Sequence, residues 1–463
     1  MSGNAGLFMP LDIVILAAGQ GTRMNSSLPK VLHTIAGKSM LQHVIDAGRV
    51  FDDARLHVVI GHGAEKIRNA IKDDDIHWVV QEQQLGTGHA VQQALPFLRT
   101  KATALILYGD VPLVNPATLK QLVLSVDVDS MALLTAELEN PAGYGRILRD
   151  DNHHVSSIVE QKDATEDQLR IHEVNTGIMA ASVTNFSRWL PALNNSNAQN
   201  EFYLTDIIAM ARRDGIGINT QSALSEAEVL GVNDRNQQAK LERIYQDKQA
   251  RALMAQGVTL MDPQRFDCRG QMQAGRDVVI DVNVVFQGSV ELGDNVVIEP
   301  NCVISNAKIG KNSRIKANTV IEDVVIGDSV DVGPFARLRP GTILNNGARI
   351  GNFVETKNAV FGVGSKANHL AYIGDAEIGK DCNIGAGTIT CNYDGVNKHK
   401  TVIGDNVFVG SNSTLVAPLI IEPEGFVGAG STVTKTVPAG NLAVARGQQR
   451  NIAGWKRPEK NKT

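Results

Sequence analysis

The chain predicts an α/β domain with a mostly parallel sheet, followed by a parallel β-helix built of hexapeptide repeats. Two periodicities carry that prediction. In the first half, strand-like apolar runs at 12–17, 56–60, 77–80 and 104–107 alternate with helix-like stretches at 40–50, 65–71 and 88–98. Such alternation implies βαβ units and a parallel sheet. In the second half an aliphatic residue returns every sixth position. Leu292, Ile298 and Ile304 open the series, and Ile309, Ile315 and Ile321 follow after a five-residue step. Ile326, Val332, Leu338, Leu344 and Ile350 continue it, and Ile403, Val409, Leu415, Ile421, Val427 and Val433 close it. A period of six fits neither a helix nor a simple strand; it fits a solenoid whose every repeat makes one flat face and one corner. Three faces close an eighteen-residue coil, so a repeat region of roughly 160 residues predicts about nine coils and a prism ~40 Å long at ~4.8 Å per coil.

At 463 residues the chain exceeds one ordinary core, and two domains are expected. The expected boundaries are 1–234 for the sheet domain, 235–256 for a linking helix and 257–463 for the repeats. In that helix Leu241, Ile244, Tyr245, Ala252 and Leu253 share a face, and Gly257 supplies its stop. A net charge of −4 shows no basic excess, so nucleic-acid binding is not expected. The longest apolar runs, such as 13–18, are too short to cross a membrane. Residues 1–10 lack the charged-then-apolar pattern of a signal peptide, and 1–8 read as an extension. Cys268, Cys302, Cys382 and Cys391 are widely spaced without a Cys-x-x-Cys pair, which suits structural thiols in a reducing cytoplasm. The tail after Arg446 is polar, ends in Lys456, Arg457, Lys460 and Lys462, and reads as solvated.

In parallel sheets ligands bind beyond the carboxyl ends of the strands. The first strand runs into Leu16-Ala17-Ala18-Gly19-Gln20-Gly21-Thr22-Arg23-Met24, with Pro29-Lys30 close behind. Small residues there let backbone N–H groups approach phosphate oxygens, and Arg23 and Lys30 supply positive charge. Met24 replaces the third glycine of a dinucleotide fingerprint, and Leu32 stands where a Walker A loop ending in Gly37-Lys38-Ser39 needs glycine. Neither a Rossmann dehydrogenase nor a P-loop NTPase is therefore indicated. The fourth strand ends in Tyr108-Gly109-Asp110, which puts a carboxylate at the sheet edge, suited to Mg²⁺.

The hexad frame breaks at 351–373 and 386–403, and those breaks hold Lys357, His369, Tyr372, Asn392, Tyr393 and the loop 394–400. A prism interior is expected to accept only small and aliphatic side chains, so these polar residues are expected on loops or outer corners. Arg337 and Arg339 flank inward-pointing Leu338 and should project outward.

Residues 16–24 with Pro29-Lys30 are followed in order by further motifs. These are Gln84-Leu85-Gly86-Thr87, Tyr108-Gly109-Asp110, Gly143-Tyr144-Gly145-Arg146, Glu160, Asn175-Thr176-Gly177 and Gly231-Val232-Asn233. The set resembles the sugar-nucleotide pyrophosphorylases. With a hexapeptide β-helix behind it, the chain from Leu11 to Trp455 resembles the bacterial family of bifunctional N-acetylglucosamine-1-phosphate uridyltransferase/glucosamine-1-phosphate N-acetyltransferases. The resemblance implies a Rossmann-like nucleotidyltransferase fold, a left-handed β-helix and a cytoplasmic homotrimer joined through the β-helix. It also implies a product that supplies peptidoglycan and lipopolysaccharide precursors.

Position by position, it implies that Leu16, Ala17, Ala18 and Gly19 line the uridine and phosphate site. Lys30, Gln81, Gly86, Thr87, Tyr108 and Gly109 would contact UTP and product, and Gly145, Glu160 and Asn175 would grip the sugar. Asp110 and Asn233 would hold Mg²⁺, with Arg23 and Lys30 serving the transfer itself. At the second site His369 would be the general base for attack by glucosamine-1-phosphate on acetyl-CoA, a task suited to imidazole with its ordinary pKa of ~6.5. Arg339, Lys357, Tyr372 and Asn383 would bind the sugar phosphate. Asn392 and Tyr393 would orient the reaction and, with Ala386, Ser411, Ala429 and Arg446, would meet the coenzyme. Two details depart from the family pattern: Thr356 beside Lys357, where an apolar residue is expected, and an extra residue near 151–154.

Three rivals are weaker. A scaffold has no need of Asp110 and Asn233 together. A zinc hydratase needs about three His or Cys ligands on one metal, and the repeat half has only His369 and His399. A purely regulatory β-helix leaves the His369, Tyr372 and 392–394 cluster without a purpose.

Overall fold

The computed structural model describes residues 10–458 and 460. The expectations for the amino-terminal extension, and for Lys462, lie outside the described residues. The chain forms two compact units, Met1–Tyr245 and Gln246–Thr463.

In the first unit the apolar run Leu11–Ala17 is the central strand, paired in parallel with Arg55–Ile60 on one side and Thr103–Tyr108 on the other. Ile76–Val80 extends one edge in parallel. On the other side Glu173–Ser182 enters antiparallel between Thr103–Tyr108 and Ser130–Glu137, and Gly217–Ser222 closes that edge. Alternate residues of each strand feed two cores. Ile13, Ile15 and Val58 pack on one face with the helix Met40–Gly48, whereas Val14, Val59 and Phe186 pack on the other. Ser39 caps Met40–Gly48 by accepting from Gln42 N at 3.2 Å. The helix expected over 88–98 runs only Thr87–Ala94 before tightening to a 3₁₀ turn at Leu95–Phe97, because Pro96 has no N–H to continue it. The extra residue near 151–154 sits in the turn of the hairpin Arg146–Arg149/Val155–Val159, where His153 adopts φ 62°.

The helix Arg235–Ala255 begins in the first unit, where Leu241 packs with Met24, Ile35, Met40 and Val232. It ends in the second, where Ala250 and Leu253 join the prism core. Ala252 is exposed, contrary to expectation; Gln246 and Ala250 take the inner face instead. Gln246 Nε2 donates to Cys268 O at 2.9 Å and its Oε1 accepts from Cys268 N at 2.8 Å, so a polar side chain ties the helix to the first coil.

The second unit is a left-handed parallel β-helix whose strands form one 22-stranded ladder from Thr259–Leu260 to Leu442–Ala443. One interior column reads Ile298, Ile315, Val332, Ile350, Ala367, Ile384, Val409, Val427, each in register with the next. The coil is not uniformly eighteen residues: many register partners lie seventeen apart, as in Asn352–His369 and Asn358–Asp375. Corners turn through left-handed residues. Asn295, Asn312 and Ser329 stack at one corner, and Asn306, Asp323, Asn358 and Asp375 stack at another. Asn and Asp tolerate this region because their short side chains bond locally; Asn306 Nδ2 donates to Asp323 Oδ1 at 2.9 Å.

Two expectations need correction. The interior holds more than small and aliphatic groups: Phe286, Phe361 and the hydroxyls of Thr342, Thr356, Thr388 and Ser413 are buried. Hydroxyls are tolerated because turn carbonyls accept from them, as in Thr388 Oγ1 to Gly385 O at 2.7 Å and Ser413 Oγ to Gly410 O at 2.6 Å. Thr356 belongs to this set, its Oγ1 lying 3.0 Å from that of Thr342. The break at 351–373 is not a loop either. Arg349–Phe361 and Lys366–Ile378 are continuous strands paired along their length, and the aliphatic recurrence lapses because these coils are one residue short and carry Thr356 and Ala367 at inward positions. The break at 386–403 does contain an inserted loop, which displaces the register from Ala376 to Thr401.

Candidate active sites

The carboxyl edge of the first sheet gathers the expected residues. Gly109 N donates to Leu16 O at 2.9 Å, which carries strand pairing one step further and sets Asp110 at the rim. Asp110 O accepts from Val232 N at 2.9 Å, drawing in the segment 231–233. Lys30, in the short turn Lys30–Leu32 behind Pro29, forms an ion pair with Asp110 Oδ2. The same Nζ lies 3.2 Å from Asn233 Oδ1, and Arg23 Nη2 donates to that oxygen at 3.0 Å. Four side chains from distant segments thus converge, with Asp110 and Asn233 aiming oxygens at one cationic centre. One carboxylate and one amide oxygen are hard donors of the kind Mg²⁺ takes when phosphates and water fill its remaining positions. The residues fit such an ion.

Away from this cluster, the residues expected at the sugar meet around Glu160. Gly145 leaves space there, since a Cβ would stand 3.4 Å from Glu160 Oε1, and Asn175 N donates to Gly145 O at 2.8 Å. Thr205 Oγ1 donates to Glu160 Oε1 at 3.1 Å. Burial pushes the Glu160 carboxyl up, partly offset by that hydrogen bond. Tyr108 lies against Gly177, where any Cβ would strike its ring; burial, then Glu160 and Asp110, raise its phenol. Opposite, Gly86 turns at φ 111° to start the helix Thr87–Ala94, and Thr87 Oγ1 accepts from Leu204 N at 3.2 Å. Gln81 is buried, its Nε2 donating to Gly86 O at 3.2 Å and lying 3.0 Å from His89 Nδ1. The side chains of Leu16, Ala17 and Ala18 are buried, so the backbone is what they offer a ligand; Gly19 is exposed.

On the prism, His369 is exposed and its Nδ1 lies 2.9 Å from Asn352 Oδ1, its register partner on the preceding coil. Tyr372 pairs in register with Glu355, which accepts from Arg339 Nη1 at 2.9 Å. Arg337 and Arg339 do flank buried Leu338. Lys398, in contact with Lys357, and then Arg339 hold the Lys357 ammonium below its usual range, with Asp375 opposing them. Asp375 Oδ1 accepts from Asn358 at 2.7 Å and its Oδ2 from Asn392. In the inserted loop, Asp394 accepts from the backbone N–H of Asn397 at 2.6 Å and of Val396 at 2.8 Å, and lies 2.7 Å from His399 Nε2. These contacts hold its carboxyl far below the carboxylate range. Ala386, Ser411 and Ala429 stack on successive coils: Asn412 N donates to Ala386 O at 2.7 Å and Gly430 N to Ser411 O at 2.8 Å. Arg446 Nη1 caps the column on Ala429 O at 2.7 Å. Asn383 stands on the coil after Lys366 and pairs with Phe408.

Residues 13–259 match a MobA-like NTP transferase domain, 268–351 a GMPPB C-terminal domain and 400–435 a hexapeptide repeat of succinyl-transferase. The bifunctional protein GlmU of Cellvibrio japonicus is 61% identical over 448 residues, covering 97% of this chain and 99% of that protein. The GlmU of Marinobacter nauticus is 58% identical over 451 residues, with 97% and 99% covered, and that of Pseudomonas putida strain GB-1 is 57% identical over 454, with 98% and 100% covered. The chain belongs to the family of bifunctional GlmU proteins.

Within that family framework, several residues at the prism site escaped sequence reasoning: Asn352, Glu355, Asp375 and Lys398. The signal existed. Asn352–His369, Asn358–Asp375 and Asp375–Asn392 are each seventeen residues apart. A seventeen-residue coil would have aligned them, whereas an assumed coil of eighteen misaligns every pair by one position and turns it to the wrong face.

Proposed function

We propose that the GlmU-family activities reside in the two sites as follows. The prism site transfers acetyl from acetyl-CoA to the amine of glucosamine-1-phosphate, and the sheet site then joins N-acetylglucosamine-1-phosphate to UTP with release of pyrophosphate. The observation that carries this reading is the convergence of Arg23, Lys30, Asp110 and Asn233 at the sheet's carboxyl edge.

At the sheet site a sugar-phosphate oxygen attacks the α-phosphorus of UTP. Such transfers depend on positioning and neutralisation rather than on a protein nucleophile. Lys30 and Arg23 neutralise the triphosphate, backbone N–H groups of 16–19 and 86–87 seat the nucleotide, with Gln81 and Tyr108-Gly109 behind them, and Gly145, Glu160 and Asn175 hold the sugar. Asp110 and Asn233 hold Mg²⁺, which when bound supplies charge neutralisation at the phosphates. At the prism site Arg339, Lys357, Tyr372 and Asn383 seat the sugar phosphate, with Asn392 and Tyr393 at the boundary with the coenzyme. His369 removes a proton from the attacking amine. Ala386, Ser411, Ala429 and Arg446 carry acetyl-CoA, the guanidinium meeting its phosphates.

The division of labour is 1–234 for uridylyl transfer, 235–256 for the linking helix and 257–463 for acetyl transfer. We propose a cytoplasmic location, in keeping with the family resemblance and with four cysteines that form no disulfide. We further propose a homotrimer joined through the β-helix. Phe335, Phe353 and Leu370, exposed by 51, 57 and 63% on adjoining coils beside His369, support it. Native mass spectrometry tests the assembly.

The deciding experiment measures acetylated and uridylylated products separately. Asp110→Ala should abolish uridylyl transfer and spare acetylation, and His369→Ala should do the reverse. Loss of both activities in either variant would refute separate sites.

A further inference from the structure

We propose that Asn352 is the positioning residue that makes His369 a base: its amide oxygen accepts the Nδ1 proton of His369 and so fixes the tautomer whose Nε2 lone pair is free. The proposal rests on the reading of His369 as the acetyl-transfer base.

Geometry comes first. Asn352 and His369 are register partners on adjacent coils, and Asn352 Oδ1 lies 2.9 Å from His369 Nδ1. A neutral imidazole carries one N–H, and the hydrogen bond made by one nitrogen decides which nitrogen keeps it. An acceptor at Nδ1 holds the proton there and leaves Nε2 as the basic atom.

Rigidity comes from the coils. Residues 349–361 and 366–378 pair in parallel along their length, so neither partner rides on a mobile loop. The two coils approach closely at this point because Gly351 has no Cβ; one would stand 1.8 Å from Asn368 O. The residues that follow the pair, Phe353 at φ 58° and Leu370 at φ 38°, are bulky side chains in the left-handed region. Such conformations cost free energy and persist where the surrounding structure imposes them, often at functional sites. Here they turn the same corner on both coils directly after the pair, holding the two side chains at matching heights.

The amide is also chemically suitable. In acetyl transfer the C–N bond forms as the thioester C–S bond breaks, the amine proton passes to His369 Nε2, and the departing thiolate takes up a proton. The base must therefore accept a proton and give it back. An amide oxygen orients imidazole by accepting its Nδ1 proton, a role that any fixed acceptor oxygen at the same place can fill. In metal sites, partners that orient a ligating histidine from one step away are worth about 10–100-fold, and the same scale is expected of a partner that orients a histidine base.

The test uses the full-length enzyme with Asn352→Leu, which keeps the shape and removes the acceptor, Asn352→Asp, which restores an acceptor, and His369→Ala. Asn352→Leu should lower the acetyl-transfer kcat about 10–100-fold with KM for both substrates within about twofold, while uridylyl transfer stays at the wild-type rate as a check on folding. Asn352→Asp should recover kcat to within about threefold. An independent readout is the histidine ring signal in ¹³C,¹⁵N-histidine-labelled protein, assigned to His369 by its loss in His369→Ala. It should report the Nδ1–H tautomer in the wild type and lose that preference in Asn352→Leu.

An inactive His369→Ala beside an Asn352→Leu with wild-type kcat, or a wild-type ring signal of the Nε2–H form, would overturn the positioning role and leave the base assignment standing. An active His369→Ala would instead overturn the base assignment. Should Asn352→Leu lose both activities through misfolding, Asn352→Asp and the wild-type ring signal still decide the matter.

Discussion

Lys30 and Asn233, 203 residues apart in the chain, meet at 3.2 Å over the carboxyl edge of the first sheet, and Asp110 closes the triangle through the same ammonium. An ammonium flanked by two oxygens and a neighbouring guanidinium prefigures the charge pattern that a triphosphate and a hard cation would complete. Replacing Lys30 with Met or Asn233 with Ala should lower uridylyl transfer by about two to three orders of magnitude, the scale seen when one preorganised electrostatic contact is lost. Acetyl transfer should stay within about twofold in the same preparations. Parallel loss of both products would contradict the assignment.

Glu160 is a half-buried carboxyl whose ionisation the fold disfavours. Because its folded pKa lies above its unfolded value, the native state loses stability as pH rises through that interval and stays weakened above it. Glu160→Gln keeps the oxygen that Thr205 donates to and removes the charge. The variant should melt higher than the wild type at pH 7–8, with the difference closing below about pH 4. Its KM for the sugar phosphate should rise at least tenfold. A melting point below wild type at pH 8 would contradict this account.

Asp12 is fully buried on the central strand Leu11–Ala17. Burial favours its neutral form, but a contact with His57, the Arg99 backbone at 2.7 Å and the Arg99 guanidinium outweigh it, and the net shift is downward. With a depressed folded pKa, the stabilisation is present above the unfolded value near ~3.9 and disappears as pH falls through the folded value. Arg99→Leu should cost about 3–5 kcal/mol at pH 7, as expected of a buried charge left without its partner. It should also flatten or invert the acid limb of a melting-temperature profile. A variant as stable as wild type would show that Arg99 contributes nothing.

Thr342 and Thr356 make an asymmetric pair inside the prism. Thr342 Oγ1 donates to Arg339 O at 2.8 Å and lies 3.0 Å from Thr356 Oγ1. Thr342→Val removes a donor from a carbonyl and strands the Thr356 hydroxyl, which should cost about 1–3 kcal/mol. Thr356→Val leaves the Thr342 bond intact and should cost less than about 1 kcal/mol. Melting of the two variants should therefore differ in that order, and equal or reversed effects would mean the pair is bonded differently.

Much of this architecture is legible in the amino-acid sequence. The strand runs at 12–17, 56–60, 77–80 and 104–107 each fall within an observed strand, because continuous apolar segments between polar turns have few other ways to be buried. The sixfold aliphatic recurrence is equally local, since each repeat must send one side chain inward. The errors also have physical causes. Ala252 was placed on the inner helix face by polarity, yet Gln246 is buried because Cys268 presents both a donor and an acceptor to its amide. Thr356 read as an anomaly until its hydroxyl partner was seen. Asn352 is missed when every coil is taken as eighteen residues, although the five-residue step from Ile304 to Ile309 already marks a coil of seventeen.

The order of apolar and small residues along the chain determined that there would be a parallel sheet, then a solenoid, since both follow from how each short segment must hide its own apolar side chains. Which polar side chains meet was decided only in three dimensions. Lys30 finds Asp110 and Asn233 because three separate segments end on one sheet edge, and His369 finds Asn352 because a coil there is seventeen residues long. Burial is a property of each residue and its near neighbours, so it is written in the sequence. Juxtaposition depends on the whole path of the chain between the partners.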